Sequence, residues 1–216
     1  MTASPDAALD DPAAPDELST GHPLTGLDPT DQRLAALHAR FAETALGVGA
    51  VDVAYRTLDS PVGLLLLCAT DVGVLRVAFE IEGHDTVLDR LATTVSPRIV
   101  EAPSRLDTVA RELDEYFRGE RRAFDLPLDR RLSTGFQRTV LEHLPDIGYG
   151  STASYAAVAL ASGSPRAVRA VGTACATNPL PLVVPCHRVV RSDGTSGNYR
   201  GGMAAKQILI DLEAGA

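Results

Sequence analysis

The chain predicts an α+β fold in two unequal parts, on three observations. Alternating apolar residues broken by tight turns fill residues 51–79, helical periodicity governs most of the chain beyond them, and the sign of the charge changes near residue 130. Residues 1–30 hold six acids and no lysine or arginine, residues 31–129 carry a net charge of −6, and residues 130–216 carry +4. The chain therefore reads as a disordered acidic tail (1–30), an N-terminal α/β domain (31–129) and a C-terminal domain (130–216). On a protein of net charge −8, a basic final third suits contact with a phosphate backbone through that third alone.

The tail is marked by five prolines and no apolar period. Asp31 to Leu46 predicts a helix through Leu34, Leu37, His38 and Phe41. An antiparallel meander comes next: Val51, Val53 and Tyr55, the turn Ser60 to Gly63, the run Leu64 to Ala69, the turn Asp71 to Gly73, then Leu75, Val77 and Phe79. Two helices are expected after it, one carrying Val87, Leu88, Leu91 and Val95, the other Leu106, Val109, Ala110, Leu113 and Phe117. A short strand near Phe124 to Leu128 would close this domain. Cys68, midway along a buried strand, reads as core.

From residue 130 the pattern is helical. Thr134 with Gln137 predicts a capping box opening a helix whose apolar side holds Phe136, Val140, Leu141 and Leu144. After a loop from Asp146 to Ser151, Ser154 to Ala161 predicts a short helix and Ser162-Gly163-Ser164 a turn. A second helix is then expected from Pro165 to about Ala176, with Ser164 as N-cap. This is the outline of a helix-turn-helix. In the second helix Ala167, Ala170, Gly172 and Ala174 leave the backbone free to approach another surface, while Arg166 and Arg169 project. Few of its side chains are long enough to read base edges in a major groove, so shape-based contact is the better expectation.

Asn178-Pro-Leu-Pro-Leu-Val-Val-Pro185 cannot be helical, because each proline lacks an amide hydrogen and pushes its predecessor toward extended geometry. Cys186, His187 and Arg188 come directly after it. The thiolate is the reactive form of cysteine, and His187 and Arg188 offer a base and a positive charge to populate it. On an extended segment neighbouring side chains diverge, so a bridging water or a local turn is the expected link from Cys186 to His187. The three cysteines, Cys68, Cys175 and Cys186, form no CxxC pair, which argues against a disulfide framework or a four-cysteine zinc site and suits a reducing cytoplasm. No apolar run approaches the roughly 20 residues of a membrane span, and the N-terminus lacks the basic and apolar regions of a signal peptide, so neither membrane insertion nor export is expected.

Six stretches together, Ser154-Tyr155, Pro165 to Gly172, Asn178-Pro-Leu-Pro, Pro185 to Val190, Gly197 to Gly202 and Lys206 to Glu213, resemble the O6-alkylguanine-DNA alkyltransferases in order and spacing. The resemblance is close over residues 134–213 and holds in outline over 50–128. It implies a ribonuclease-H-like N-terminal domain, a winged-helix C-terminal domain and a repair protein that flips alkylated guanine from duplex DNA. The alkyl group would pass irreversibly from O6 to the protein's own cysteine, one turnover per molecule.

By position, the resemblance makes Cys186 the acceptor, His187 the base acting through water, Glu213 the carboxylate orienting the imidazole, and Tyr155 the donor to the departing guanine. Arg169 becomes the finger that fills the gap left by the flipped base, beside Arg166, Ala167, Ala170 and Thr173 on the DNA-binding surface. Asn178 becomes the hinge, and Val189, Gly197, Tyr199 and Arg200 line the base pocket. O4-alkylthymine is a second expected substrate, its acceptance and that of larger alkyl groups depending on the loop around Arg200. No cofactor or metal is expected, Cys68, His22, His38 and His84 having no zinc-ligand spacing. A cytoplasmic monomer acting on double-stranded DNA is the resulting expectation.

Two alternatives remain from other classes. A winged-helix damage sensor would lack the acceptor thiol that Cys186 supplies, and a cysteine hydrolase would need a third triad member and an oxyanion site that no motif provides. Cys175 within the second helix is a further thiol open to off-site modification. Leu141 stands where many relatives carry tryptophan, a residue this chain lacks altogether.

Overall fold

The computed structural model describes residues 29–215. The chain divides into two compact units, residues 1–37 and 38–216; the described part of the first is the opening of helix α1 (Pro29–Gly47). The expected disordered tail lies outside the described residues, save that Pro29 and Thr30 already belong to α1. The helix forms where its periodicity predicts, but Leu34, Leu37 and Phe41 stay exposed, while Ala42 and Ala45 are buried.

In the second unit the meander forms as strands β1 (Val53–Leu58), β2 (Leu65–Ala69) and β3 (Val74–Phe79). Helix α2 (His84–Thr94) is next, then a three-residue strand β4 (Ile99–Glu101) and helix α3 (Asp107–Phe117). The sheet order is β3-β2-β1-β4, with β4 parallel to β1 and the other pairs antiparallel. Strand β4 has no counterpart in the sequence reading, three residues being too few to show an alternation.

Both faces of this sheet are covered, which explains why β2 is apolar throughout instead of alternating. Leu66 and Cys68 pack with Val87 and Leu91 of α2, whereas Leu65, Leu67 and Ala69 pack with Leu106, Leu113 and Tyr116 in the larger core. The strand expected over Phe124 to Leu128 does not form. Pro127 has no N–H to extend a ladder, and pairing shrinks to a single bridge from Leu128 to Val74.

The remaining elements are α4 (Gly135–His143), β5 (Ala153–Ser154), α5 (Tyr155–Ala161), α6 (Val168–Ala176), β6 (Val189–Val190) and α7 (Gly202–Ala214). The capping box expected at Thr134 is absent; Gln137 turns its amide to the carbonyl and hydroxyl of Thr177 instead. Ser154 does cap α5, its hydroxyl accepting from the N–H of Ala157 at 3.1 Å, a contact worth about 1 kcal/mol. Helix α6 starts three residues later than expected. Ser164 to Ala167 close a turn, with the Ala167 N–H 2.8 Å from the Ser164 carbonyl, so Ala167 rather than Ser164 is the N-cap. The helix-turn-helix outline of α5 and α6 stands, and α4 packs against α6 beneath it.

Candidate active site

The proline-rich run places the thiol. From Asn178 to Pro185 the chain is irregular yet buried, and Leu182 takes a φ of 72°, a conformation rare for a residue with a branched side chain. Cys186 to Arg188 then form one 3-10 turn, the local turn that the sequence leaves open as a link. Cys186 and His187 are both buried, 1 % and 0 % exposed.

Asn178 reaches the sulfur directly. Its side-chain N–H groups donate to Sγ of Cys186 at 3.2 Å and to the Val184 carbonyl at 2.9 Å, while its oxygen accepts from the Leu180 N–H. Burial pushes the Cys186 thiol up to about 11, against the opposing pull of Asn178 and of the Lys206 charge. At rest, therefore, Cys186 is a thiol and not a thiolate. Arg188 is not the cation at the sulfur that the sequence suggests, because its guanidinium is spent on both oxygens of Glu213 and on the Ile147 carbonyl. Lys206 and Arg200 provide the positive charge there. Lys206 is the chain's single lysine, is fully buried, and donates from Nζ to the Val189 carbonyl at 2.6 Å.

Glu213 sits in the last turn of α7, where the helix dipole disfavours an acid. Five donors offset that. Nε2 of His187 lies 2.9 Å from Oε1, two Arg188 nitrogens each bond at 2.9 Å, the Tyr116 hydroxyl donates at 2.7 Å and the Gly150 N–H at 3.2 Å. Burial raises this carboxyl, but the His187 and Arg188 bonds outweigh it and hold it at about 2. Burial lowers His187 despite Glu213, so the ring is neutral. With Nε2 directed at a carboxylate, Nε2 carries the proton and Nδ1 is the lone-pair side. Nδ1 is buried and meets no protein partner.

Tyr155 is half-buried, and Gly197 fits against it so closely that a Cβ there would lie 2.2 Å from the phenol oxygen. A side chain at 197 would therefore force the Tyr155 ring to shift. Tyr199 is buried, its ring edge-on to those of His187 and Phe79, and Val189 is buried beside the turn. Arg200 makes its ion pair with Glu82, which it shares with the buried Arg76. Arg76 in turn donates to the Pro179 carbonyl at 2.9 Å, so β3 is tied to the segment holding the thiol. A cleft of about 630 Å³ runs beside this ion cluster and includes Arg200 but not Cys186.

On α6 and the turn before it, Arg166, Arg169, Ala170 and Thr173 are exposed and Ala167 is partly so, whereas Val171, Ala174 and Cys175 face inward. Burial pushes the Cys175 thiol well above its ordinary value, which makes the off-site modification considered for it unfavourable. The structure gathers Cys186, His187, Glu213, Tyr155, Asn178, Val189 and Tyr199 into one region; sequence reasoning misses Tyr116 there and gives Lys206 no role. Tyr116 falls three residues after Leu113 on the apolar face of α3, a place that the sequence reading assigns to Phe117. Among the described residues no three His, Cys, Asp or Glu side chains converge as a metal site, and no helix is long and apolar enough to cross a membrane.

Comparison with known proteins agrees with this geometry. The methylated-DNA–protein-cysteine methyltransferase of Mycolicibacterium paratuberculosis is 40 % identical over 161 residues, 74 % of this chain and 92 % of that one. The constitutive enzyme of that name from Bacillus subtilis is 38 % identical over 160 residues, 74 % of this chain and 94 % of the relative. The crystal structure of Mycobacterium tuberculosis OGT in complex with DNA aligns with a TM-score of 0.65 at 36 % identity, covering 75 % of this chain and 93 % of that one. Residues 53–130 match the ribonuclease-like domain of 6-O-methylguanine DNA methyltransferase and residues 135–215 match its DNA-binding domain, and with both halves accounted for, the chain belongs to the 6-O-methylguanine DNA methyltransferase family.

Proposed function

We propose that this protein repairs DNA by moving an alkyl group from O6 of guanine to Sγ of Cys186, once per molecule. The observation that carries this reading is the arrangement of His187: Nε2 fixed on a fully coordinated Glu213, Nδ1 buried and unpartnered, in the same helical turn as the thiol. A buried polar atom without a protein partner suits an ordered water, and one water links Nδ1 to Sγ. The thiol proton passes through it to Nδ1, giving an imidazolium that Glu213 stabilises. Sulfur then attacks the alkyl carbon, the carbon–O6 bond breaks with its electron pair going to the guanine oxygen, and Tyr155 donates a hydrogen bond or proton to the departing base. Lys206 and the Asn178 N–H stabilise the thiolate as it forms.

DNA meets the outward face of α6. Arg169 fills the space of the flipped nucleotide, its planar guanidinium recovering part of the unstacking cost of a few kcal/mol, and Arg166, Ala167, Ala170 and Thr173 allow close approach. Because Cys186 is sealed from solvent, the base reaches it only when neighbouring residues move aside. The protein acts as a monomer in the cytoplasm, and O4-alkylthymine is a secondary substrate.

Incubation with duplex DNA carrying O6-methylguanine tests the reading. Peptide mass spectrometry should find one methyl group on Cys186 and none on Cys68 or Cys175. Repeated turnover with an unmodified protein would mark a hydrolase, and damage binding with no adduct would mark a sensor.

A further inference from the structure

One buried titratable side chain at the centre of the relay has no part in the proposed transfer. Tyr116 projects from α3, outside the helix-turn-helix half of the chain, and is fully buried. Its hydroxyl donates to Oε1 of Glu213 at 2.7 Å and lies 3.4 Å from Nε2 of His187. The ring stands edge-on to Phe117 and Tyr149 and tilts against Phe124, so packing fixes where the hydroxyl sits. Burial, reinforced by the Glu213 charge, pushes the phenol far above its ordinary value. Tyr116 is therefore a permanent donor.

Oε1 of Glu213 receives three donors, from Tyr116, His187 and Arg188. A carboxylate oxygen that spends charge on one donor has less for the next. We propose that Tyr116 is a positioning residue of the relay, its hydroxyl holding Oε1 of Glu213 against His187 while drawing off part of the carboxylate's charge, so that the imidazole waits as a neutral proton acceptor. The inference deepens the proposed alkyl transfer and rests on it for its purpose, though not for its measurement.

His187 is faced by Tyr116 from α3, by Glu213 and Lys206 from α7, by Tyr199 from the loop before α7, and by Arg188 in its own turn. Burial, Arg188 and Lys206 oppose a charged ring, and Glu213 favours one. Tyr116 is the uncharged member of this group that touches the carboxylate, which makes it a means of adjusting Glu213 without removing a charge.

The ring ¹⁵N shifts of His187, assigned by comparison with His187→Gln, report its charge from about pH 4 to about pH 9. Tyr116→Phe should raise the His187 midpoint by about half a pH unit, and the acid limb of the rate of benzyl transfer from free O6-benzylguanine to Cys186 should move with it. Site-specific 3-fluorotyrosine at position 116, a stronger donor of nearly the same size, should move the midpoint the other way; it carries the test alone if Tyr116→Phe does not fold. In a Glu213→Gln background Tyr116→Phe should have no effect on the midpoint. Titrations that superimpose on the wild type, or a ring that stays neutral at the lowest pH in every variant, would overturn the proposal and leave Tyr116 a packing residue. The expected shifts in a protein that accepts no alkyl group would sink the proposed function and leave this inference standing.

Discussion

Cys68 at the centre of the sheet and Cys186 in its 3-10 turn are equally hidden from solvent, yet their surroundings differ in kind. Around Cys68 the packing partners are Val53, Leu66, Leu75, Ala78, Val87 and Leu91, and burial pushes the thiol up to about 12 against the opposing pull of the Arg76 charge. Cys186 is held by an Asn178 N–H, lies within the field of Lys206, and shares a turn with a neutral imidazole. Burial alone makes a thiol inert. What separates an inert cysteine from a poised one is whether the donors that will stabilise its anion are already in place, because assembling them during the reaction would cost free energy then.

Substituting each thiol breaks the comparison most sharply. Cys186→Ser should abolish alkyl transfer while leaving DNA binding intact, since the hydroxyl is far less acidic and nucleophilic; gel-shift and transfer assays on the same preparation check this. Cys68→Ala should do the reverse, keeping full stoichiometric transfer and losing about 1–2 kcal/mol of stability to the cavity. Methyl acceptance by Cys186→Ser would mean that the surroundings, not the sulfur, had been misread.

Access to Cys186 is the next largest effect. Arg169→Ala should slow transfer from duplex DNA about tenfold or more while changing the reaction with free O6-benzylguanine little, because only the duplex substrate has to be unstacked. Rates measured on both substrates separate the cases. An equal loss on both would assign Arg169 to the fold.

Glu213→Gln examines the support behind the imidazole and should slow transfer about tenfold. It also has a signature in stability. The folded carboxyl lies near 2, below its ordinary 4.5, so its contribution is complete above 4.5 and lost as pH falls toward 2. His187 is likewise lowered from 6.5, so the unfolded chain gains its proton first and stability begins to fall below that value. Melting temperatures followed down from neutral pH should show this acid loss in the wild type, and Glu213→Gln should flatten its lower part.

The smallest effect is a ranking of the thiols. Treated with a small alkylating agent at neutral pH, Cys186 should react ahead of Cys68 and Cys175, the order peptide mapping would read. Cys68 reacting first would erase the distinction between the two environments.

Much of this contrast is legible in the residues. Alternation and turn chemistry place Cys68 on a buried strand, and the prolines flanking Cys186 fix an irregular segment, because both are local effects of backbone sterics. The start of α4 escapes such reasoning for the opposite cause: Gln137 is drawn from its cap to Thr177, forty residues away. The same holds for Tyr116, Arg76 and Glu82. Nothing in the local pattern of α3 or β3 says that a phenol will meet Glu213 or that an arginine will bond the Pro179 carbonyl, since those partners are assembled only when the two halves of the second unit pack.

Lys206 gives the molecule a built-in reporter. All other basic side chains able to carry a permanent charge are arginines, and the one side-chain amine is sealed behind the reacting turn with its Nζ on the Val189 carbonyl. An acylating reagent therefore finds no lysine on the outside of the folded protein. Any opening of the turn that uncovers that amine is then read as acyl-Lys206, with no label introduced.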